Sequence, residues 1–419
     1  MTSRWLTRVT GWGLIVLVAL MPLHAIAVIS LGHWFGHQTI WASWKEVLLV
    51  LLSLLTIIIT ITDPTKRNRL RQPLVYVLAA FGVLTIVVTL LTRPGLHSAA
   101  YGAKTDLEFL LAAVIALIVA TQELVKKLVV TLLISTGAVI IFGLLQATVL
   151  PHDTLVHLGY SFTPGQTAPY ELVVSGTVTH YRFGSTLGGP NQLGTFLILP
   201  LTLTLLLGRK RRLWWIYSAA ILPVMFITYS RGAWIGAVVA VAVTLIMSAP
   251  TKRRLPIGLA LAAGAVVVGA VAVFGPTGNF LTNYLRHPST TTSVKSSDSQ
   301  HVASLGNGLH SVFATPLGHG LGTAGPATFR TGPSINIIEN NYLQIGYEAG
   351  LMGTVLFMTV IGLMSYLLVA RPNNQTSLAT GAALIGISVT ALVLPAFTDS
   401  STALTVFSLA GASLGARYV

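Results

Sequence analysis

The chain has 419 residues, 53% of them hydrophobic and only 9% charged, with 25 Lys and Arg against 11 Asp and Glu for a formal net charge of +14. A soluble protein carries roughly 25% charged residues, so this composition excludes a soluble domain and indicates a polytopic membrane protein made of apolar runs about 20 residues long. No cysteine is present, which excludes disulfides, thiolate chemistry and Cys-ligated metals. In a membrane chain the location of the positive residues matters more than their sum, so no nucleic-acid partner is inferred from the charge.

Twelve apolar segments follow in order: 11–32, 46–62, 73–92, 106–121, 127–148, 192–208, 212–229, 233–249, 256–275, 342–370, 378–395 and 402–416. The first has a basic start and an "AIA" at Ala25 to Ala27, as a signal peptide would. Its apolar run continues past that point, so an uncleaved helix is expected. With Arg4 and Arg8 placed in the cytoplasm and the segments alternating, 17 of the 25 Lys and Arg fall in short inside loops, among them Arg69, Arg209 and Arg254. The 8 outside are Lys45, Arg93, Lys104, Arg182, Arg231, Arg286, Lys295 and Arg330. That bias obeys the positive-inside rule. The expectation is one all-α integral membrane domain over 1–419, with about 12 transmembrane helices and both termini cytoplasmic.

Two outside loops are long, 149–191 and 276–341. The second contains "PSTTTSVKSSDSQ", whose composition predicts a mobile tract. Beyond it Val302, Leu305, Leu309, Val312 and Phe313 share one helical face, with His301, Ser304 and Ser311 mostly opposite. This pattern predicts an amphipathic helix lying along the outer membrane surface. No repeat of 20–50 residues and no second soluble domain is visible.

"GHGLGTAG" contains G-x-G-x-x-G at Gly320, Gly322 and Gly325. A dinucleotide site needs a strand before and a helix after; in an outside loop the glycines read instead as a tight turn back toward the membrane. Neither D-x-D nor a Walker A motif occurs, and the histidines are scattered. No metal and no cofactor is expected.

Three outside stretches carry chemistry. In "HYRFGSTLGGPNQLGTFLILPL", Arg182 precedes a Gly-rich turn and then Pro190-Asn191 at the mouth of a helix. Helix N-termini present free N–H groups, and an arginine adds a planar fork suited to phosphate. In "FITYSRGAWIG", Ser230-Arg231 lies between two apolar runs, where a charge is costly unless offset. A snorkelling interfacial anchor would explain it, but anchoring arginines normally cluster inside, which favours a ligand-binding role. In "NIIENNYLQIGYEAGLMGTVLF", Glu339, Asn340 and Asn341 stand where the chain re-enters the bilayer, with Glu348, Gly350 and Gly353 beyond. Glu339 reads equally as a helix-dipole partner or a functional acid; Glu348 reads as a buried structural acid. The two arginines can hold a pyrophosphate without a metal, and the acid can take a proton from an attacking hydroxyl.

Together these stretches resemble the O-antigen ligase and O-antigen polymerase superfamily, bacterial membrane enzymes that move lipid-linked glycans. The matching pieces are Arg182-Phe183-Gly184 with Pro190-Asn191, the Ser230-Arg231 pair, and Glu339-Asn340 followed nine residues later by Gly350 and Gly353; "TPLGHGLGTAG" is similar to a further family turn. The resemblance covers roughly residues 180 to 370. The ligase pattern has histidine where this chain has Glu339, which leans toward a polymerase or another glycan transferase. The resemblance implies an undecaprenyl-pyrophosphate-linked glycan as donor, a glycan or lipid acceptor, and the bilayer as surroundings. It implies Arg182 and Arg231 on the pyrophosphate, Glu339 as base for inverting attack, Asn340 and Asn341 orienting acceptor or base, Asn191 and Ser230 beside the substrate, and His301 as a secondary candidate.

Two other classes compete. A flippase for the same lipid would carry charges near mid-membrane and often repeated halves, and neither is seen. A glycosyltransferase using lipid-monophosphate sugars would place its acid in the first outside loop, which offers only Glu46.

Overall fold

The computed structural model describes residues 2–163, 166–175, 178–209, 211–274, 297–328 and 336–418. Each apolar segment read from the sequence falls on a helix, because a chain in lipid must satisfy its backbone N–H and C=O groups internally. In chain order these are α1 (Thr2–Leu20) and α2 (His24–Phe35), joined by a short turn containing Pro22; α3 (Trp44–Thr62); α4 (Pro73–Thr92); α5 (Leu96–Asp106); α6 (Glu108–Val119); and α7 (Gln122–Thr148). Then come α8 (Pro190–Gly208), α9 (Leu213–Phe226), α10 (Arg231–Ser248), α11 (Thr251–Phe274), α12 (Ser297–Ala314), α13 (Asn341–Ala370), α14 (Gln375–Thr390) and α15 (Ser400–Gly415).

Among the described residues seven helical units are long and apolar enough to cross a membrane: Ser3–Phe35, α3, α4, α7, α8, α10 and α13. The expected count of about twelve spans is not confirmed among the described residues. Helices α6 and α9 are apolar but only 12 and 14 residues long, and α14 and α15 have 16 each. Of these, α15 is buried along nearly its whole length, so it is covered by protein and is not held to the length that a lipid-facing helix needs. Its backbone lies directly on α6: a Cβ at Gly411 would stand 2.2 Å from the Ala113 oxygen, the close approach that small residues permit between membrane helices. At the centre, the Phe109 and Phe407 rings are 4.5 Å apart, and Phe397 meets both Phe357 and Phe407 edge-on.

The loop over 149–191 holds an antiparallel hairpin of β1 (Glu171–Ser175) and β2 (Val178–Arg182), with Glu171 paired to Arg182. The run of Val and Thr around Gly176 is a hairpin signal, and reading this stretch as an irregular loop missed it.

One end of the bundle gathers the loops expected inside. Ser3 Oγ donates to Asp63 at 3.1 Å, Gln122 Nε2 to the Ala416 carbonyl at 3.1 Å, and Asn374 Nδ2 to Gln122 at 3.2 Å. Arg69 donates to the carbonyls of Leu117, Ile118 and Ala120 at 3.0, 2.8 and 3.0 Å, satisfying the C-terminal end of α6. The opposite end carries the β-hairpin and the first residues of α8, α10, α13 and α15.

Helix α10 is held in place by a glycine crossing. A Cβ at Gly236 would lie 2.5 Å from the Gly386 oxygen of α14, and one at Gly386 2.3 Å from the Gly236 oxygen. Gly236→Val is therefore expected to cost about 1–3 kcal/mol or more through overpacking, read as a lowered thermal midpoint in detergent. Gly362→Ala in α13, where nothing lies within 4 Å of the added carbon, should leave the midpoint where it is.

Candidate active site

Arg182 ends β2 and ties three elements together. Its Nε donates to the Thr228 carbonyl at 2.8 Å, Nη1 to Glu171 Oε2 at 2.7 Å and Nη2 to Asn191 Oδ1 at 2.8 Å. The chain then turns sharply into α8, with Ser185 and Gly188 at φ of 49° and 87°, and Pro190 opens the helix at the first position, where its missing N–H costs nothing. Ser185 is pinned to α7 through Gln146 Oε1 and the Val139 carbonyl.

Arg231 is the first residue of α10 and Ser230 its N-cap. The residue before them, Tyr229, sits at φ 50°, a strained place for a bulky side chain, and strain of this kind is stored at functional sites. Ser230 is 2% exposed, and among the described residues its Oγ has no hydrogen-bond partner. Its Cβ would be 3.3 Å from a carbon placed on Gly194 of α8, so the N-terminal turns of α8 and α10 abut. Burial pulls the Arg182 guanidinium below the usual arginine pKa; Glu171 opposes that shift and the Arg231 charge adds to it. Two guanidinium groups and two helix N-termini thus share one patch, which favours an anion.

Glu339 lies just before α13. Its N–H donates to Ser304 Oγ of α12 at 3.2 Å, and that hydroxyl donates to the Ile337 carbonyl at 3.4 Å. Ser304 therefore packs against the 337–339 segment, whose backbone polar groups need a partner there. Val312 is buried, whereas Leu305, Leu309 and Phe313 remain exposed. The side chain of His301 lies outside the described residues, as do Arg286, Lys295 and Arg330.

The two asparagines serve the backbone. Asn340 caps α13, accepting from Leu343 N at 3.0 Å and donating to the Leu392 carbonyl at 2.8 Å. Asn341 donates its N–H to the Ala391 carbonyl at 2.9 Å and accepts from Phe397 N at 2.7 Å. Both side chains are committed to the turn between α14 and α15.

That turn, residues 391–399, joins the three stretches. A Cβ on Gly232, next to Arg231, would meet Val393 at 2.7 Å and Leu394 at 3.4 Å, and Thr390 Oγ1 donates to the Gly232 carbonyl at 3.2 Å. Leu394 and Pro395 share a cavity wall with Asn191. The sequence reading passed over this turn because it works through backbone carbonyls and packing. Its visible signal was Pro395 followed by Asp399, whose carboxylate caps α15 through Thr402 N at 2.9 Å.

Glu348 is the buried structural acid expected: Oε1 accepts from Ala324 N at 3.0 Å and the carboxyl meets that of Asp106. At Gly350, φ 76° breaks α13, and the freed carbonyls of Tyr347 and Glu348 accept from His319 N and Gly320 N at 2.9 and 2.8 Å. The glycine-rich stretch is thus a tight turn that completes this kink.

No curated protein matches the chain. Residues 216–358 match the family model described as O-antigen ligase, a span that runs from α9 into α13 and contains both Arg231 and Glu339. The matched segment carries the Ser230-Arg231 hairpin and the Glu339 segment, so this part of the helical membrane scaffold is similar to the O-antigen ligase family.

Proposed function

We propose that the protein transfers a glycan from undecaprenyl pyrophosphate to an acceptor hydroxyl, by direct inverting attack, at the outer face of the cytoplasmic membrane. The observation that carries this reading is the Arg182–Arg231 patch at two abutting helix N-termini, with the buried Ser230 hydroxyl beside it. A diphosphate there would separate two like charges. The three bonds made by Arg182 leave N–H groups over from the guanidinium's five, and Arg231 supplies a second fork.

In this mechanism the arginines stabilise the negative charge that grows on the leaving diphosphate. The acceptor oxygen bonds to the anomeric carbon as the bond from that carbon to the diphosphate oxygen breaks, and the hydroxyl proton passes to Glu339. Attack opposite the leaving group inverts the anomeric centre. Asn340 and Asn341 act at one remove, holding the 391–399 turn beneath the site. Helix α12 roofs it through Ser304. An apolar groove of about 870 Å³ between α12, α13 and α14, lined by Leu305, Leu309, Leu343 and Leu392, reaches Asn340 and suits a lipid-borne substrate arriving from the bilayer. The bias of basic residues supports cytoplasmic termini and a site on the opposite face.

The test is a proteoliposome assay with an undecaprenyl-pyrophosphate-linked oligosaccharide. The expected result is a newly joined glycan and release of the lipid diphosphate. Translocated but chemically unchanged lipid would establish a flippase instead.

A further inference from the structure

A cavity of about 320 Å³ opens between the first turn of α8 and the 394–401 segment leading into α15. It is at the small end of the roughly 300–1,000 Å³ usual for small-molecule sites, with room for a single ring, not an extended oligosaccharide. Asn191 belongs both to its wall and to the Arg182 cluster, where its Oδ1 accepts from the guanidinium at 2.8 Å. An occupant of the cavity is therefore one amide away from the proposed diphosphate position.

Among the described residues the wall offers hydrogen bonds of both senses and no Lys or Arg side chain. His24 Nδ1 accepts the Trp44 indole N–H at 2.9 Å, which leaves the neutral imidazole with Nε2–H as its donor. Gln192 is exposed and supplies an amide, able to donate and accept. Asp399 supplies a carboxylate, and Pro326 and Pro395 supply apolar faces. Ser400 Oγ, also in the wall, donates to Glu108, whose other oxygen takes Lys45 Nζ at 2.5 Å; Glu46 holds the same ammonium at 2.9 Å. With that buried lysine neutralised, the cavity does not suit a second phosphate. Alternating donors and acceptors between two proline faces suit a polyhydroxyl ring.

We propose that this cavity binds the sugar unit joined directly to the donor's diphosphate, and that His24 and Gln192 select it. The proposal rests on the diphosphate reading of the Arg182–Arg231 patch.

The chain has no cysteine, so Gln192→Cys in the full-length protein introduces a single thiol at the cavity mouth. Its rate of maleimide labelling would be compared with three probes. They are bare polyprenyl diphosphate, the same lipid carrying the first sugar of the source cell's own lipid-linked glycan, and a free oligosaccharide cut from that cell's surface polysaccharide. The sugar-bearing lipid is expected to slow labelling about tenfold, the scale of one good contact, while the bare lipid raises the thermal midpoint of the protein but leaves labelling unchanged. Gln192→Trp should weaken the sugar-bearing lipid to the affinity of the bare one without altering the latter. Equal protection by both lipids, or protection by the free oligosaccharide alone, overturns the sugar assignment and leaves the diphosphate reading standing. If neither lipid shifts the midpoint, the diphosphate reading itself fails and the sugar site with it.

Discussion

Arg231→Lys is expected to remove most transfer activity, by about 10²–10³ in rate, while the protein stays folded. Lysine keeps the charge, and a residue whose task is to anchor a helix end at the headgroups would tolerate the exchange. A diphosphate held by two forks would not, because a point charge cannot replace two parallel N–H donors. The surroundings favour the second outcome. Arg231 opens α10 beside the Ser230 hydroxyl, which is buried without a partner among the described residues, and it lies close enough to Arg182 to lower the pKa of that guanidinium. Two guanidinium groups beside two helix N-termini favour an anion there. The measurement is the initial rate with lipid-linked glycan at saturating acceptor, alongside a thermal midpoint. Near-normal turnover with an unchanged midpoint would assign Arg231 to anchoring.

The helices were legible in the sequence because apolar composition and the membrane's demand for internal hydrogen bonding leave little choice. Arg182, Arg231 and Glu339 were legible because a charge beside an apolar run needs a reason. What the sequence concealed is how the segments carrying them are joined. The turn at 391–399 contributes carbonyls at Ala391 and Leu392 and an N–H at Phe397, groups that every residue carries and no motif marks. For the same reason Asn340 and Asn341 were assigned to substrate: an amide pair beside an acid looks functional until its partners are seen to be backbone. Ser304 lies opposite the exposed Leu305, Leu309 and Phe313, as helical periodicity indicates, but periodicity does not reveal that this face meets the 337–339 segment. The hairpin that brings Glu171 opposite Arg182 had its pattern in plain view, and short strands in a chain dominated by apolar helices are easily passed over.

Glu339→Gln carries the largest expected effect. A sugar hydroxyl is a poor nucleophile near neutral pH, and a positioned base contributes roughly 10²–10⁴ in rate. If Glu339 takes the proton, the glutamine variant should bind the donor lipid normally and lose about that factor in the chemical step, seen as a fall in kcat with little change in KM for the donor. Glu339→His should retain more activity than the glutamine variant, since it restores a proton acceptor at the same place. The competing explanation is that the carboxylate serves the start of α13. That role is already filled: Asn340 is the N-cap and its Oδ1 accepts from Leu343 N at 3.0 Å. A carboxylate at that position adds a helix-dipole interaction worth about 0.3–1 kcal/mol. The Ser304 hydroxyl holds the Glu339 backbone through its N–H at 3.2 Å, a contact that the glutamine substitution leaves intact, so the fold is not at stake. A drop in rate with an unchanged thermal midpoint assigns the base. A lowered midpoint with normal turnover assigns a structural acid, and the proton would then have to leave by another route.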